Sequence, residues 1–278
     1  MASSVAGVIE PKLRQSEIER ASRKPTESLD AYDLYLRALA LRDKHTDESI
    51  EEAIALLKRA LGLDPDYAPA KALIGWSRVH QLSHGRTPVA EADRTEAAAF
   101  ARQALQTGKD DPDTLWMAGF TLLPFAGERA VAASAIDRAL VLNPNSAHAW
   151  MARGYVSAPE PDKAIEAFEH AIRLSPLDSL RRTFLTGIGR AHLIAGRYDD
   201  ALDWAEQALR EEPDYSGALR VTAVACAHLD RIEEAREAIR HLLQVQPWLT
   251  VASLLRMVPP QAQEMHAEGL RKAGLPEK

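Results

Sequence analysis

Apolar and small residues recur every three or four positions along most of the chain, which is the spacing of one face of an α-helix. The clearest stretch is residues 182–215. Its first predicted helix ends at Gly196, and its second begins at Tyr198 and ends before Pro213, which cannot continue a helix. The positions predicted to pack the pair together are Leu185, Ile188, Gly189, Ala201, Ala205 and Ala208. The small residues among them predict that the two helices approach each other closely.

A helix end followed by a polar turn occurs six times, as in DRALVLNPNSAHA and EQALREEPDYSGA. The turns are centred on Pro65, Lys109, Pro144, Pro176, Pro213 and Pro247. Successive turns are 44, 35, 32, 37 and 34 residues apart. A period near 34 residues is typical of an array of helix–turn–helix repeats. We therefore predict an all-α solenoid of about six helix pairs with helical caps.

The two ends of the chain depart from the repeat, as the terminal units of such an array do. We predict an N-terminal helix or linker over residues 1–25, the repeat array over residues 26–247, and capping helices over residues 248–278. The chain has 278 residues, 46% of them hydrophobic, which is enough for a continuous core. Its length does not require two domains, because a solenoid grows by adding units.

The repeated units resemble the tetratricopeptide repeat (TPR), whose pattern is W-x2-L-G-x2-Y followed by A-x3-F-x2-A-x4-P. Residues 182–215 follow it through Gly189, Ala201 and Pro213, and AIEAFEHAIRLSP follows its second half. The resemblance implies a protein-interaction module whose first helices line a concave groove. The Lys/Asn arrangement with which some TPR domains hold a chaperone's C-terminal carboxylate is not evident.

Flanking segments carry a more specific resemblance. The stretch VIEPKLRQSEIERASRKPTESLDAYDLYLRALAL, the unit LIAGRYDDALDWAEQALREEPDY and the ending EGLRKAGLPE resemble the C-terminal TPR region of bacterial class III adenylate cyclases and of related winged-helix regulators. The resemblance implies a regulatory or sensor module whose catalytic or DNA-binding domain is absent from this chain. It also implies a bacterial source and a fragment, or a gene that kept only the tail.

The net charge and the composition argue against several classes of partner and of site. The net charge of −6 disfavours nucleic acid, whose phosphates attract basic surfaces. No apolar stretch approaches the ~20 residues that span a bilayer, so we expect no membrane association. The single Cys226 excludes a disulfide within the chain and a zinc site built from cysteines. The start of the chain has no signal-peptide pattern, and we therefore expect a cytoplasmic protein.

Motifs of enzymes are weak. GIGRAH, residues 187–192, has part of a dinucleotide-binding loop, but it lacks the third glycine and a preceding strand, so we interpret it as a repeat helix. His80 and His84 could share a helix face, yet no H-E-x-x-H pattern surrounds them, and we expect loop histidines near Gly85. We therefore predict no enzyme activity, no catalytic residue, no cofactor and no metal site.

Residues on the predicted first helices, away from the packing face, are the candidates for binding. Aromatic and arginine side chains anchor many protein interfaces. The groove candidates are Trp76, Trp116, Phe120, Met151, Tyr155, Arg190 and Arg220. Packing between repeats is the alternative for several of them, above all for Trp116.

Two functional hypotheses remain. The first is a non-catalytic scaffold that binds a peptide or a helix of a partner protein in its groove. The second is the regulatory module of a cyclase or a transcriptional regulator. An enzyme would need a convergent polar cluster in a pocket, which the sequence does not show. The partner's identity and the oligomeric state do not follow from the sequence.

Overall fold

The computed structural model of the chain describes residues 17–18 and 30–277. It is 76% helical, and the described residues form fourteen α-helices, one short 3-10 helix and no strand. The predicted all-α solenoid is therefore confirmed. The N-terminal segment predicted over residues 1–25 lies outside the described residues, apart from residues 17–18.

The helices alternate with short turns along the chain. The first six are α1 (Ala31–Arg42), α2 (Asp47–Leu63), α3 (Ala68–His84), α4 (Glu91–Thr107), α5 (Pro112–Ala126) and α6 (Arg129–Leu142). The next six are α7 (Ala147–Val156), α8 (Pro161–Leu174), α9 (Arg181–Ile194), α10 (Tyr198–Glu211), α11 (Ser216–His228) and α12 (Ile232–Val245). The chain ends with α13 (Val251–Leu255), the 3-10 helix (Pro260–Ala262) and α14 (Gln263–Lys272). Odd-numbered helices from α1 to α11 are the first helices of six pairs.

The described chain forms two compact units. Of the described residues, the first unit comprises 17–18, 30–85 and 89–149, and the second comprises Arg86–Pro88 and residues 150–277. In the first unit, α3 packs against its partner α4 and also against α5, the first helix of the next pair. In the second unit, α9 packs in the same way against α10 and α11. First helices of successive pairs thus lie side by side within each unit.

Local sequence explains where the helices begin and end. Asp30 caps α1 and Thr46 caps α2. In each case the capping side chain accepts from the backbone N–H of the third helical residue, whose own side chain accepts from the N–H of the capping residue. Asp111 accepts from two backbone N–H groups at the start of α5, where Pro112 occupies a position that needs no donor. Gly127 ends α5 with a φ of 66°, a left-handed conformation that glycine adopts without strain.

Small residues allow the helices to pack closely. In the second unit, the Phe168 ring on α8 lies between Gly154 on α7 and Gly187 on α9. A Cβ atom at Gly154 would come within 2.7 Å of the Phe168 ring, and one at Gly187 would come closer still. Gly189 faces the Ala201 carbonyl of α10 and the Val221 side chain of α11, as expected for a position where helices touch.

After Pro247 the chain folds back onto the second unit. Helix α14 packs against α11, and it buries Ala267 and Leu270 in the core of that unit. The Val251 N–H donates to the Pro276 carbonyl at 2.8 Å, which joins the last residues to the start of α13. This segment is part of the folded core and cannot be removed without exposing apolar surface.

Candidate binding surface on the first helices

All seven predicted groove residues lie on first helices. Trp76 is on α3, Trp116 and Phe120 are on α5, Met151 and Tyr155 are on α7, Arg190 is on α9, and Arg220 is on α11. They differ widely in exposure. Three are buried, with exposed fractions of 8% for Trp76, 2% for Trp116 and 1% for Met151. Phe120, Tyr155, Arg190 and Arg220 are half-buried, so they retain surface that a partner could contact.

The first unit holds an aromatic cluster formed by the buried Trp76 and Trp116 and the half-buried His148. The two indoles meet edge to face with ring centroids 4.7 Å apart, and the His148 ring lies 5.6 Å from Trp116. The Arg42 guanidinium lies 3.0 Å from the centre of the Trp76 ring, in cation–π contact. The Trp116 indole N–H donates to an Asp113 carboxylate oxygen at 3.0 Å. Because Arg42, Trp76 and Trp116 are buried, the cluster presents little surface.

The second unit holds a more polar group, the arginine–tyrosine cluster, formed by Tyr155, Arg190, Arg220 and Tyr215. The Arg190 guanidinium lies 5.4 Å from the centre of the Tyr155 ring. Tyr155 packs edge to face on Phe168, with centroids 5.1 Å apart, which fixes the orientation of its ring. The members Tyr155, Arg190 and Arg220 of this cluster are carried by three first helices, α7, α9 and α11.

Tyr215 forms the other wall of the arginine–tyrosine cluster. Its hydroxyl and the Thr183 hydroxyl are 2.8 Å apart and share a hydrogen bond. The Arg220 Nε–H donates to the Ser216 carbonyl at 3.2 Å, one turn earlier on α11. The Arg182 guanidinium lies 5.4 Å from the centre of the Tyr215 ring. Contacts along and between α9 and α11 thus hold both groups in place.

Burial and like charge shape the electrostatics of this cluster. Burial, together with the neighbouring Arg190 charge, lowers the pKa of Arg220 to about 10, and Tyr215 and Tyr155 act in the opposite direction. Burial also raises the pKa of Tyr155, opposed by the charges of Arg190 and Arg220. Both tyrosines are therefore neutral at pH 7, and the cluster is cationic.

The C-terminal segment borders the arginine–tyrosine cluster. Arg190 donates to the Met257 carbonyl at 3.2 Å, in the turn after α13. His266 on α14 is buried, and its Nδ1–H donates to the Ala262 carbonyl at 2.9 Å. Burial lowers the pKa of His266 to about 4, and the charges of Arg190 and His228 act in the same direction. The imidazole is therefore neutral at pH 7.

Several residues of both clusters were missed at the level of sequence. Arg42 and His148 lie outside the helix positions that we assigned to a groove, and their contacts with Trp76 join residues 34 and 72 positions apart. Tyr215 had a detectable signal, because it follows the turn in EEPDYSGA just as Tyr67 does in LDPDYAPA. Burial raises the pKa of both tyrosines. A tyrosine immediately before a first helix thus recurs in the repeats, since Tyr67 precedes α3 and Tyr215 precedes α11.

The other motifs singled out in the sequence have structural roles. GIGRAH lies within α9, as interpreted. The expectation that His80 and His84 lie in a loop is wrong, because α3 continues to His84 and their rings stack with centroids 4.8 Å apart. No group of three His, Cys, Asp or Glu side chains among residues 17–18 and 30–277 is arranged to hold a metal ion. Cys226 is buried, and burial raises its pKa, which disfavours the reactive thiolate.

Comparisons with known families identify the repeat. Two family models described as tetratricopeptide repeat match the chain, one at residues 192–264 and the other at residues 125–179 and 155–215. No curated protein has a sequence that matches this chain significantly. None of the described helices has the combined length and apolar character needed to cross a bilayer.

Solved structures show the same fold at low sequence identity. The Cut9–Hcn1 hetero-tetramer of APC/C superposes with a TM-score of 0.62 and 17% identity, over 90% of this chain and 46% of that chain. PilW, a type IV pilus biogenesis factor, gives a TM-score of 0.56 with 18% identity, over 79% of this chain and 94% of PilW. Human IFIT1 with PPP-AAAA gives a TM-score of 0.62 with 17% identity, over 84% of this chain and 55% of IFIT1. The chain thus spans about half the length of the first and third proteins.

Proposed function

On the premise that this chain is a tetratricopeptide-repeat protein, we propose that it is a non-catalytic scaffold that binds an extended peptide or a helix of a partner protein along its first helices. The single observation that supports the proposal most strongly is the arginine–tyrosine cluster. Its members Tyr155, Arg190 and Arg220 place an aromatic ring and two guanidinium groups, the side chains that most often anchor interfaces, on half-buried positions of neighbouring first helices.

The tetratricopeptide fold is generally not that of an enzyme, which agrees with this proposal. Its repeats offer preformed surface, so a partner is bound without the cost of ordering the scaffold. The cytoplasmic location and the absence of nucleic-acid and membrane partners, expected from the sequence, are part of the same proposal. Within it, the seven residues predicted for the groove are no longer equivalent, because the buried ones have little surface to offer.

The experiment begins with selection of binding peptides from a displayed random library on the immobilised chain. Hydrogen exchange of the complex then maps the site, because bound peptide slows exchange of the amides that it covers. We expect protection in α9 and α11 of the second unit, and little change in α10 and α12. Protection confined to α10 and α12 would contradict the proposal, as would failure to select any peptide.

A second candidate is the regulatory module of an adenylate cyclase or a winged-helix regulator. It is favoured by the flanking segments quoted above, whereas none of the matching families and structures named above is a cyclase or a winged-helix protein. The coding sequence next to the codon for Met1 would distinguish the two. A cyclase or winged-helix domain encoded in the same reading frame would favour the second candidate.

A further inference from the structure

The C-terminal segment, residues 251–277, covers part of the first helices that the proposed function assigns to a partner. Its last helix, α14, packs against α11. In the turn after α13, the Met257 carbonyl accepts a hydrogen bond from Arg190 on α9 at 3.2 Å. The segment therefore lies on two neighbouring first helices of the second unit.

The positions that the segment contacts are equivalent in the last two repeats. Arg190 in α9 and Val224 in α11 are 34 residues apart, which is also the spacing of Pro213 and Pro247. A Cβ atom at Gly269 of α14 would lie 3.0 Å from the Val224 side chain. The segment thus follows, from one repeat to the next, the first-helix position at which Arg190 is predicted to line a groove.

Main-chain carbonyls of the segment accept hydrogen bonds from both first helices. Arg190 donates to the Met257 carbonyl, and the His228 Nε2–H of α11 donates to the Met265 carbonyl at 2.8 Å. Every peptide chain carries such carbonyls, whatever its side chains are. A different chain that lies along α9 and α11 can therefore accept the same two bonds.

The apolar part of the contact is close and requires a small residue. Gly269 lies inside α14, where glycine costs about 1 kcal/mol relative to alanine. A Cβ atom there would lie 3.0 Å from Val224 and 3.2 Å from His228, so a larger side chain would press on α11. The buried apolar residues around it are three positions apart: Ala267, Leu270 and Ala273. A helix that replaces α14 therefore needs a narrow apolar stripe with a small residue beside it.

Hydrogen bonds within the segment hold it together as one piece. The Val251 N–H donates to the Pro276 carbonyl at 2.8 Å, and the Gln263 side-chain amide donates to the carbonyls of Leu255 and Val258. Helix α13 has five residues and α14 has ten, so neither is long enough to be stable by itself in water. The segment can therefore leave the first helices as a unit, and its helices depend on the surface they pack against.

We propose that residues 251–277 are an internal ligand of the second unit, which an amphipathic helix of the partner protein displaces from α9 and α11. The partner helix presents apolar residues at the spacing of Ala267, Leu270 and Ala273, with glycine or alanine at the position of Gly269. This inference rests on the proposed function, because it concerns access to the same first helices. A segment tied to the chain competes at an effective concentration of about a millimolar, so it weakens the apparent binding of a partner.

The first test is whether the segment exchanges with a free copy of itself. The probe is a fluorescently labelled synthetic peptide of residues 259–274, whose binding to the full chain is followed by fluorescence anisotropy. Gly269→Leu in the chain should push α14 away from α11, and we expect the probe to bind this variant about tenfold more tightly than the unsubstituted chain. Glu268→Leu adds the same side chain on the exposed face of α14 and is the matched control, which should bind the probe as the unsubstituted chain does.

The second test locks the segment in place with a disulfide. Because a Cβ atom at Gly269 would lie 3.0 Å from a methyl group of Val224, cysteines at these two positions suit the geometry of a disulfide. Val224→Cys with Gly269→Cys, in a Cys226→Ala background, gives a locked oxidised form and a free reduced form. We expect a library-selected peptide to bind the reduced form about tenfold more tightly than the oxidised form. The two forms have the same sequence, so this comparison holds even if Gly269→Leu does not fold.

Three results would overturn the inference. The probe binds Gly269→Leu no better than the unsubstituted chain, or it binds Glu268→Leu equally well, or oxidation leaves the dissociation constant of the selected peptide unchanged. Hydrogen exchange separates these results from failure of the proposed function. If a selected peptide protects α9 and α11 without faster exchange in α14, displacement is refuted and the proposed function stands. If no peptide is selected, the proposed function is refuted, and the probe experiment still decides whether the segment is displaceable.

Discussion

The two units use the same helix positions for different purposes. In the first unit, Trp76 and Trp116 pack against each other and against Arg42, so the aromatic side chains fill the space between helices. In the second unit, Tyr155 keeps part of its surface and lies beneath Arg190. If the proposed function is right, binding is concentrated in the second unit, where Tyr155 and Arg190 keep exposed surface.

Replacing Trp116 by Ala should have the largest effect on the first unit. Trp116 is only 2% exposed, and its removal leaves a cavity and takes a hydrogen-bond donor from Asp113. We expect the free energy of unfolding to fall by about 3–5 kcal/mol, as for other large core side chains. Chemical denaturation followed by circular dichroism measures it. A loss below about 1 kcal/mol would mean that Trp116 is a surface residue and that the first unit also offers an aromatic groove.

Acid should weaken the second unit through His266. Its pKa is about 6.5 in an unfolded chain and about 4 in the folded one, so between these values the unfolded state binds more protons. The contribution of neutral His266 to stability is therefore complete above pH 6.5 and is lost as the pH falls towards 4. The shift corresponds to about 3 kcal/mol.

The measurement compares the chain with His266→Gln, which cannot be protonated. Unfolding free energies are determined at pH 7 and pH 4.5 for both proteins. We expect the unsubstituted chain to lose about 2–3 kcal/mol more than the variant over this interval, and His266→Gln to be the less stable protein at pH 7. Equal losses of unfolding free energy in the two proteins would show that His266 is accessible to water and is not buried beside the arginine–tyrosine cluster.

Glycine positions distinguish close helix contacts from open ones. Gly189→Leu should cost about 1–3 kcal/mol or more, because its side chain would meet the Ala201 carbonyl and Val221. A Cβ atom at Gly62 in α2 would meet no neighbouring atom within 4 Å, so Gly62→Ala should stabilise the chain by about 0.5–1 kcal/mol. Thermal unfolding measures both. An unchanged melting temperature for Gly189→Leu would show that the repeat register is wrong.

Much of the fold could be predicted from the sequence, because the repeat period and the residues of the turns locate the same breaks between helices. All six predicted turn positions fall between helices of the structure, including Lys109, where no proline is present. The spacing between Pro65 and Lys109 is 44 residues, largely because α3 and α4 are long. They have 17 residues each, whereas α9 and α10 have 14 each. Repeat periodicity therefore predicts the number of helices better than their lengths.

The candidate site was less predictable. Periodicity places Trp76, Tyr155 and Arg190 on first helices, but it does not say which of them is covered. Arg42 covers the Trp76 ring, and Met257, which is 67 residues further along the chain, contacts Arg190. Such contacts between distant segments follow from packing and not from local pattern. The resemblance of the flanks to cyclase tails likewise gives no residue-level prediction of the site.

The proposed binding surface on the first helices is tested most directly by the dissociation constant of one library-selected peptide for the unsubstituted chain and three variants. Tyr155→Ala should weaken binding by about 2 kcal/mol, roughly thirtyfold, as expected for a central anchor, and Phe120→Ala in the first unit should weaken it less. Glu206→Ala, on the exposed face of α10, is the control and should leave the constant unchanged. If Glu206→Ala weakens binding as much as Tyr155→Ala does, the first helices are not the binding surface.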